Sequence, residues 1–131
     1  MSVFVDTSGL FALLDADDTH HERARSAWTR LIEEGVRLAT SNYTLVEAYA
    51  LVRKRLGVRA LRSVVEDLVP VLDVHWLDED THAQATAALL AAGRRKPSLV
   101  DCASFVLMRQ LGITRAFTFD RHFTEQGFER V

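Results

Sequence analysis

The chain has 131 residues, 48% of them hydrophobic, with 16 basic and 18 acidic side chains and a formal charge of −2. This length and apolar content predict a single domain over residues 1–131, whose core folds without disulfides or a structural metal. The small negative charge argues against a general nucleic-acid coat protein.

The single cysteine and the lack of a recognisable targeting signal bear on the cellular compartment in which the protein is expected. Cys102 lies in an apolar helical stretch, as expected of a buried side chain in a reducing environment. The first residues do not resemble a signal peptide, and no apolar stretch is long enough to span a membrane. The sequence therefore predicts a cytoplasmic protein with no membrane partner.

Short apolar segments alternate with helical patterns along the chain. Strands are predicted at residues 3–5, 36–40, 71–76, 115–119 and 128–131. Helices are predicted from about residue 7 onward and at residues 19–34, 42–56, 59–68, 78–92 and 98–111. The alternation predicts an α/β fold with a central parallel sheet of four to five short strands, flanked by helices and joined by right-handed crossovers.

The same patterns predict several details of packing. The helix over residues 98–111 is the most apolar and is expected to lie centrally, and Pro70 is expected to end the helix over 59–68. Residues 120–122 are expected in a loop. Trp28 and Trp76 are expected to pack in the core or in a dimer interface. The residues expected to face mostly inward from helix 42–56 are Leu45, Val46, Tyr49, Leu51 and Val52.

Four acidic residues stand where the predicted elements meet. Asp6 and Asp120 each follow a strand, and Glu47 and Asp101 each lie near the start of a helix. In a parallel sheet these positions fall at one carboxyl edge, so we expect the four carboxylates to lie close together. Taken singly, each acid has a simpler interpretation as a cap, because Glu47 and Asp101 follow a hydroxyl residue by three positions, as in a capping box. For Asp101 that interpretation is weaker, because a carboxylate on a buried helix is costly unless it is paired or binds a metal.

A cluster of four carboxylates has limited chemical options. The charges repel one another, so the group takes up protons or binds a cation. Ligands that are all oxygen favour Mg²⁺ or Mn²⁺ over zinc. Such a site suits metal-assisted hydrolysis of a phosphodiester, in which an ion activates water and offsets charge on the leaving oxygen. The residues alone therefore indicate hydrolysis of nucleic acid.

At these positions the sequence resembles PIN-domain ribonucleases, and among them the VapC toxins of type II toxin–antitoxin systems. The segments that carry the resemblance are Phe4-Val-Asp6-Thr-Ser8, Glu47, Ser98-Leu-Val-Asp101-Cys102 and Phe117-Thr-Phe-Asp120-Arg-His-Phe123. The resemblance implies a PIN-like α/β/α sandwich and Mg²⁺- or Mn²⁺-dependent endonucleolytic cleavage of RNA that leaves a 3′-hydroxyl. It also implies a homodimer and a small cognate VapB-like antitoxin that occludes the pocket.

The resemblance gives each acid a role. Asp6 and Asp101 are expected to be the principal metal ligands, with Asp120 completing the site. Glu47 is expected to orient or deprotonate the attacking water. The hydroxyls expected to hold a carboxylate or a water at the metal, if they are not simply capping or strand residues, are those of Ser8 and Thr118.

Basic residues and histidines have competing interpretations. Arg94, Arg95 and Lys96 precede the helix of Asp101 and either contact RNA phosphates or form a solvated surface. A second basic group with the same two interpretations contains Arg53, Lys54, Arg55, Arg59 and Arg62. The histidines expected at the surface rather than on the metal are His20, His21 and His122.

Two other functions stay open on the residues alone. Phosphatases of the haloacid dehalogenase type also place an aspartate nucleophile after the first strand, as Asp6 is placed, but they need a second acid where this chain has Ser8. A non-catalytic binding module would keep the pocket and act only through its partner. Metal-dependent RNA cleavage that is lost in Asp6→Asn separates a nuclease from such a module.

Overall fold

The structure is a computed structural model and describes residues 1–94 and 97–131. Its centre is a sheet of five parallel strands, which confirms the predicted fold class. In chain order the strands are β1 (Ser2–Val5), β2 (Arg37–Ser41), β3 (Asp73–His75), β4 (Arg115–Phe117) and β5 (Glu129–Arg130). Their order across the sheet is β3, β2, β1, β4, β5, so β1 lies in the middle.

Helices connect the strands and cover both faces of the sheet. In chain order they are α1 (Thr7–Leu14), α2 (His21–Glu33), α3 (Asn42–Leu56), α4 (Val58–Ser63), α5 (Glu79–Ala92), α6 (Leu99–Leu111) and α7 (Arg121–Glu125). Within the described ranges, no helix combines the length and apolar character needed to cross a membrane.

Strand β1 divides the core into two layers because its side chains alternate between the faces of the sheet. Val3 and Val5 pack with α1 and α2, whereas Phe4 packs with α6 and α7. All three side chains are fully buried, as predicted for a strand covered on both sides. The two layers of helices with the sheet between them form the expected α/β/α sandwich.

The end of β1 is held tightly against β4, and this contact positions the site. The Asp6 N–H donates to the carbonyl oxygen of Phe117 over 3.1 Å. Directly above, α1 crosses so close to β4 that a Cβ at Gly9 would lie 2.4 Å from the same carbonyl oxygen and 2.6 Å from the Phe117 ring. Only glycine allows the backbone of α1 to come this close to Phe117. The start of α1 can therefore pack directly against the carboxyl end of β4.

The helical segment after α3 runs further than predicted. Residues 59–68 were expected to form a helix ended by Pro70, but α4 passes into a π-helical turn (Val64–Leu68) and then a 3-10 turn (Val69–Val71) that contains Pro70. Proline lacks an N–H, which the first turn of a helix does not need. The expectation that Pro70 ends the helical path is therefore wrong.

A short helix replaces the expected loop over residues 120–122. Helix α7 begins at Arg121, and Phe123 is fully buried within it. The Phe123 ring lies 5.0 Å from that of Phe105 and 6.3 Å from that of Phe4. This aromatic contact fixes one turn of helix against the sheet, in a segment too short to show helical periodicity.

At the β3 edge one expectation about packing is wrong, that for Val46, and the core alternative for Trp76 is excluded while its dimer alternative stays a prediction. Val46 is 70% exposed, because the inward face of α3 passes through Leu45 and Ala48 and the next residue is rotated by about 100°. Trp76 is 78% exposed and does not lie in the core. Trp28 does pack in the core, with its ring 5.5 Å from that of Phe117.

Candidate active site

Asp6 ends β1 and caps α1, and its side chain is buried with 3% exposure. The hydroxyls of Ser8 and Thr118 donate to its Oδ2 over 2.7 and 2.9 Å, and the Ser8 N–H approaches the same oxygen at 3.3 Å. Among the described residues, no donor reaches Oδ1. The carboxylate is thus fixed through one oxygen while the other is free to bind a ligand.

Burial raises the pKa of Asp6 to about 6, although the hydrogen bonds from Ser8 and Thr118 lower it. The negative charge of Asp101 adds to the increase, which indicates that the two carboxylates are electrostatic neighbours. A buried anion beside a second anion is stabilised by a proton or by a cation. This is the electrostatic signature expected of a cation site.

The hydroxyl of Thr118 joins the ends of β1 and β4. It donates to Asp6 and accepts from the Asp120 N–H over 3.0 Å. The Ser8 hydroxyl lies 3.1 Å from that of Thr118 and accepts from the Phe119 N–H over 2.9 Å. These contacts replace the sheet ladder, which explains why β4 ends at Phe117 and not at residue 119 as predicted.

Asp101 lies in the first turn of α6 and is 9% exposed. It forms a capping box with Ser98, in which the Ser98 N–H donates to its Oδ2 over 3.0 Å and the Ser98 hydroxyl accepts from the Asp101 N–H. Burial raises the pKa of Asp101, and the charges of Asp120 and Glu47 raise it further. Capping and membership of the acidic cluster are therefore compatible for this residue.

Asp120 follows β4 and caps α7, with its Oδ1 accepting from the His122 N–H over 2.9 Å. Its side chain is 29% exposed and lies on the open side of the cluster. The predicted turn cap is thus present here too, and it leaves the carboxylate facing Asp101, whose pKa it raises.

Glu47 lies further into its helix than the predicted capping box requires. The cap of α3 is Ser41, whose hydroxyl accepts from the Thr44 N–H over 3.1 Å, so Thr44 and Glu47 do not form a capping box. The Glu47 side chain is half-buried, and within residues 1–94 and 97–131 it has no hydrogen bond or ion pair. Its charge acts on Asp101, which brings the fourth acid into the same electrostatic cluster.

His122 belongs to this cluster, contrary to the expectation that it lies at the surface. Its Nδ1 is 3.1 Å from Asp120 Oδ1 and 3.7 Å from Asp101 Oδ2. One ligand atom from each of the three residues fits within 4.8 Å of the others, an arrangement able to hold a metal ion. His122 was expected at the surface because a single nitrogen ligand beside Asp120 is atypical of a site made of carboxylates. In the structure, α7 replaces the expected loop and turns the imidazole toward Asp101.

The basic residues are only partly described. Arg94 follows α5 in an exposed turn, and Arg95 and Lys96 lie outside the described residues. A groove of about 570 Å³ lies between α2 and the C-terminal residues, and its lining includes Thr118, whose hydroxyl binds Asp6, and Phe119. Its charged lining consists of Glu22, Arg23, Arg30 and Arg130.

A five-stranded parallel sheet with a cluster of acidic side chains at its carboxyl edge defines an α/β protein with a candidate acidic site. The family model described as PIN domain matches residues 3–129. The chain therefore belongs to the PIN domain family, and its relatives below place it among the VapC-like endonuclease toxins. A dehalogenase-type phosphatase, which was considered on Asp6 alone, is set aside by this assignment.

The named relatives match over nearly their full length. The chain is 35% identical over 130 residues to the 23S rRNA-specific endonuclease VapC20 of Mycobacterium tuberculosis, covering 98% of this chain and 97% of that protein. The crystal structure of M. tuberculosis VapC20, described as a Sarcin-Ricin loop cleaving toxin, has a TM-score of 0.88 at 36% identity, covering 99% and 98% of the two chains. FitAcB from Neisseria gonorrhoeae has a TM-score of 0.71 at 17% identity over 98% and 95%, which is a likeness of fold.

Proposed function

We propose that this chain is a divalent-metal-dependent endoribonuclease, a VapC-like toxin that acts as one domain over residues 1–131. The observation that carries the proposal is the electrostatic cluster centred on Asp101, to which Asp6, Glu47 and Asp120 all contribute. The 35% identity to an endonuclease over 98% of the chain supports the same activity.

The residues fit a hard divalent cation. Three carboxylates and a half-buried glutamate supply oxygen ligands, and burial raises the pKa of both Asp6 and Asp101. A cation would remove that penalty. Mg²⁺ or Mn²⁺ is the ion proposed, because both prefer carboxylate oxygen and water.

Each acid has a proposed task. Asp6 and Asp101 hold the ion, and Asp120 completes the site on its open side. Glu47, whose carboxylate has no partner in the described part of the chain, orients the attacking water or accepts its proton. The ion, when bound, supplies Lewis-acid charge that activates the water and offsets negative charge on the leaving oxygen.

Ser8 and Thr118 act as positioning residues. Both hydroxyls donate to Asp6 Oδ2, so the opposite oxygen is left without a donor in the described part of the chain and is available to the ion. Thr118 also accepts from the Asp120 N–H, which ties two proposed ligands to one hydroxyl. Hydrolysis by this constellation is proposed to leave a 3′-hydroxyl on the RNA.

The substrate proposed is ribosomal RNA, at the sarcin–ricin loop of the 23S molecule. This proposal rests on the name and description of VapC20 and on its identity to this chain. The groove lined in part by Thr118 carries three arginines, Arg23, Arg30 and Arg130, whose charges suit RNA phosphates. Arg94, with Arg95 and Lys96, is proposed as a second phosphate contact.

The test is cleavage of 23S rRNA in intact ribosomes, mapped by primer extension with Mg²⁺ or Mn²⁺ present. We expect one cut in the sarcin–ricin loop, no cut in the presence of EDTA, and a loss of about 100-fold or more in Asp6→Asn and Glu47→Gln. The matched controls are Asp17→Asn and Glu33→Gln, which change exposed acids outside the cluster.

The outcomes separate the alternatives. Cleavage that persists in Asp6→Asn would contradict the proposed site. A wild-type protein that cuts no RNA with either ion would favour the non-catalytic binding module. A cut elsewhere in the RNA would retain the nuclease and overturn the proposed substrate.

The proposed partners are a second copy of the chain and a small VapB-like antitoxin in the cytoplasm. Light scattering should give twice the mass of the 14.8 kDa chain. Co-expression with a VapB-like antitoxin should give a complex in which RNA cleavage is suppressed. A monomer that remains fully active in that mixture would contradict both assignments.

A further inference from the structure

The imidazole of His122 has no hydrogen-bond partner in the described part of the chain, although it faces two carboxylates. Its Nδ1 is buried from solvent and makes no hydrogen bond. The nearest oxygen, Asp120 Oδ1, lies 3.1 Å away, but that contact does not have hydrogen-bond geometry. A buried nitrogen that makes no hydrogen bond inside an anionic cluster is stabilised by a bound cation or by a proton that forms an ion pair with the carboxylates.

Helix α7 holds this imidazole in place from both sides. Asp120 caps the helix through the His122 N–H, and the next residue, Phe123, is fully buried against Phe105. The His122 side chain is only 21% exposed. Its position is therefore set by the fold and not by a flexible surface rotamer.

The distances match a shared metal ion. Two neighbouring ligands on an octahedral ion, each about 2.1 Å from it, lie about 3.0 Å apart. His122 Nδ1 lies 3.1 Å from Asp120 Oδ1 and 3.7 Å from Asp101 Oδ2. The three residues offer one nitrogen and two oxygens within a sphere that an ion can fill.

We propose that His122 Nδ1 binds the divalent ion directly, beside Asp101 and Asp120, and that this nitrogen makes the site prefer Mn²⁺ to Mg²⁺. The inference rests on the proposed metal dependence and adds a ligand to the four acids. Mg²⁺ is a hard ion that favours oxygen, whereas imidazole binds first-row transition ions more readily. A site of carboxylates alone lacks this source of discrimination.

The test uses the full chain, free of any histidine tag, with one equivalent of Mn²⁺ and no RNA. Pulsed EPR is expected to detect a ¹⁴N nucleus coupled directly to the Mn²⁺, and uniform ¹⁵N-histidine labelling should convert the signal to that of ¹⁵N. The coupling should vanish in His122→Ala and in His122→Asp. The control, His20→Ala, changes a histidine that stacks on Phe119 and should retain the coupling.

Calorimetric titration gives a second readout that is independent of RNA cleavage. We expect His122→Ala to weaken Mn²⁺ binding by about tenfold or more and to change Mg²⁺ binding much less. His122→Asp restores an anionic oxygen ligand, so it should bind Mg²⁺ at least as well as the wild type does. It also tests the proposal if the alanine variant fails to fold.

The results separate this inference from the proposed function. If Mn²⁺ binds the wild type in an Asp101-dependent manner without ¹⁴N coupling, His122 is not a ligand and only this inference fails. An unchanged ratio of Mn²⁺ to Mg²⁺ affinity in both His122 variants would also overturn it. If neither ion binds the wild type, the proposed metal dependence itself fails.

Discussion

The hydroxyls of Ser8 and Thr118 orient the carboxylate of Asp6, so the site is sensitive to single substitutions at these residues. Ser8 and Thr118 hold Oδ2 by hydrogen bonds of 2.7 and 2.9 Å, and Thr118 is itself 1% exposed. These donors partly offset the burial of the carboxylate without cancelling it, because the pKa of Asp6 still rises to about 6. Without a metal ion, the ionised carboxylate of Asp6 therefore destabilises the folded protein.

This destabilisation should make the free energy of unfolding depend on pH between about 4 and about 6. An aspartate carboxyl in water has an ordinary pKa of 3.8, whereas the pKa of Asp6 in the folded protein is about 6, so the folded state binds more protons between these values. In EDTA, the free energy of unfolding should therefore fall as the pH rises from about 4 to about 6, and then level off. The penalty at neutral pH is about 3 kcal/mol for a shift from 3.8 to about 6.

Asp6→Asn should remove this dependence and stabilise the metal-free protein at pH 7.5 by about 1–3 kcal/mol. Urea unfolding at pH 5.0 and pH 7.5, in EDTA, measures the effect, and Asp17→Asn is the matched control. A wild-type stability that rises over the same pH interval would contradict the assignment of a raised pKa to Asp6.

Removing the Thr118 hydroxyl should impair the site without adding bulk. In Thr118→Val, Asp6 Oδ2 loses a donor and the Asp120 N–H loses its acceptor, so the pKa of Asp6 rises further and both carboxylates lose a positioning contact. We expect metal affinity and RNA cleavage to fall about 10- to 100-fold.

The control for that change is Thr40→Val. Thr40 is equally buried but donates to the backbone carbonyl of Val5 over 2.9 Å. It should lose stability, by about 1–3 kcal/mol, with little change in metal affinity. Equal losses of metal affinity in the two variants would show that Thr118 acts only through stability.

At the scale of elements, what could be predicted depended on length. The strand ending in Asp6 and the helix Asn42–Leu56 were predicted from their apolar patterns, and the structure confirms both. Helix α7 has five residues, too few for a period to show, and it forms because Phe123 is buried against Phe105. Missing that helix is why the position of His122 could not be predicted.

The edges of the sheet were equally hard to predict. Val46 and Trp76 are apolar but exposed, because β3 is a three-residue edge strand that leaves one side of α3 uncovered. An apolar side chain indicates burial only where an element is present to cover it. The four acids were predicted to lie close together because their positions fall at the carboxyl edge of a parallel sheet. That rule does not specify their hydrogen-bond partners, so these could not be predicted.

The junction of β1, α1 and β4 should fail if the helix is pushed outward. In Gly9→Ala, the new Cβ would meet the Phe117 carbonyl oxygen at 2.4 Å, so α1 must shift away from β4. We expect a loss of about 1–3 kcal/mol in unfolding free energy and a larger loss of RNA cleavage than stability explains.

The control for this junction is Gly35→Ala. Gly35 has a φ of +67° and no neighbour within 4 Å of an added Cβ, so its substitution is strained but distant from the acids. It should lower stability by about 1 kcal/mol and leave the cleavage rate of the folded protein unchanged. Intact cleavage in Gly9→Ala would show that the tight α1–β4 contact is not needed to place Asp6.

At the scale of the whole molecule, the topology of the sheet brings the four acids together. Asp6, Glu47, Asp101 and Asp120 are separated by up to 114 positions along the chain. Asp6 and Asp120 follow β1 and β4, and Glu47 lies in the helix that follows β2, whereas Asp101 lies at the start of α6, the helix that leads into β4. In a parallel sheet all of these positions fall at the carboxyl edge. The order β3, β2, β1, β4, β5 puts the two strand-ending acids on neighbouring strands, since β1 pairs with β4. From the sequence, the pairing of β1 with β4 could be inferred only by assuming that Asp6 and Asp120 belong to one site.

The most direct measurement is anomalous diffraction from crystals of the full chain soaked with Mn²⁺. We expect a manganese peak bounded by the carboxylates of Asp6, Asp101 and Asp120, with Glu47 near enough to hold a water, and no such peak in Asp6→Asn. A saturating soak in which ordered acids show no manganese, while the same preparation cleaves RNA, would contradict it.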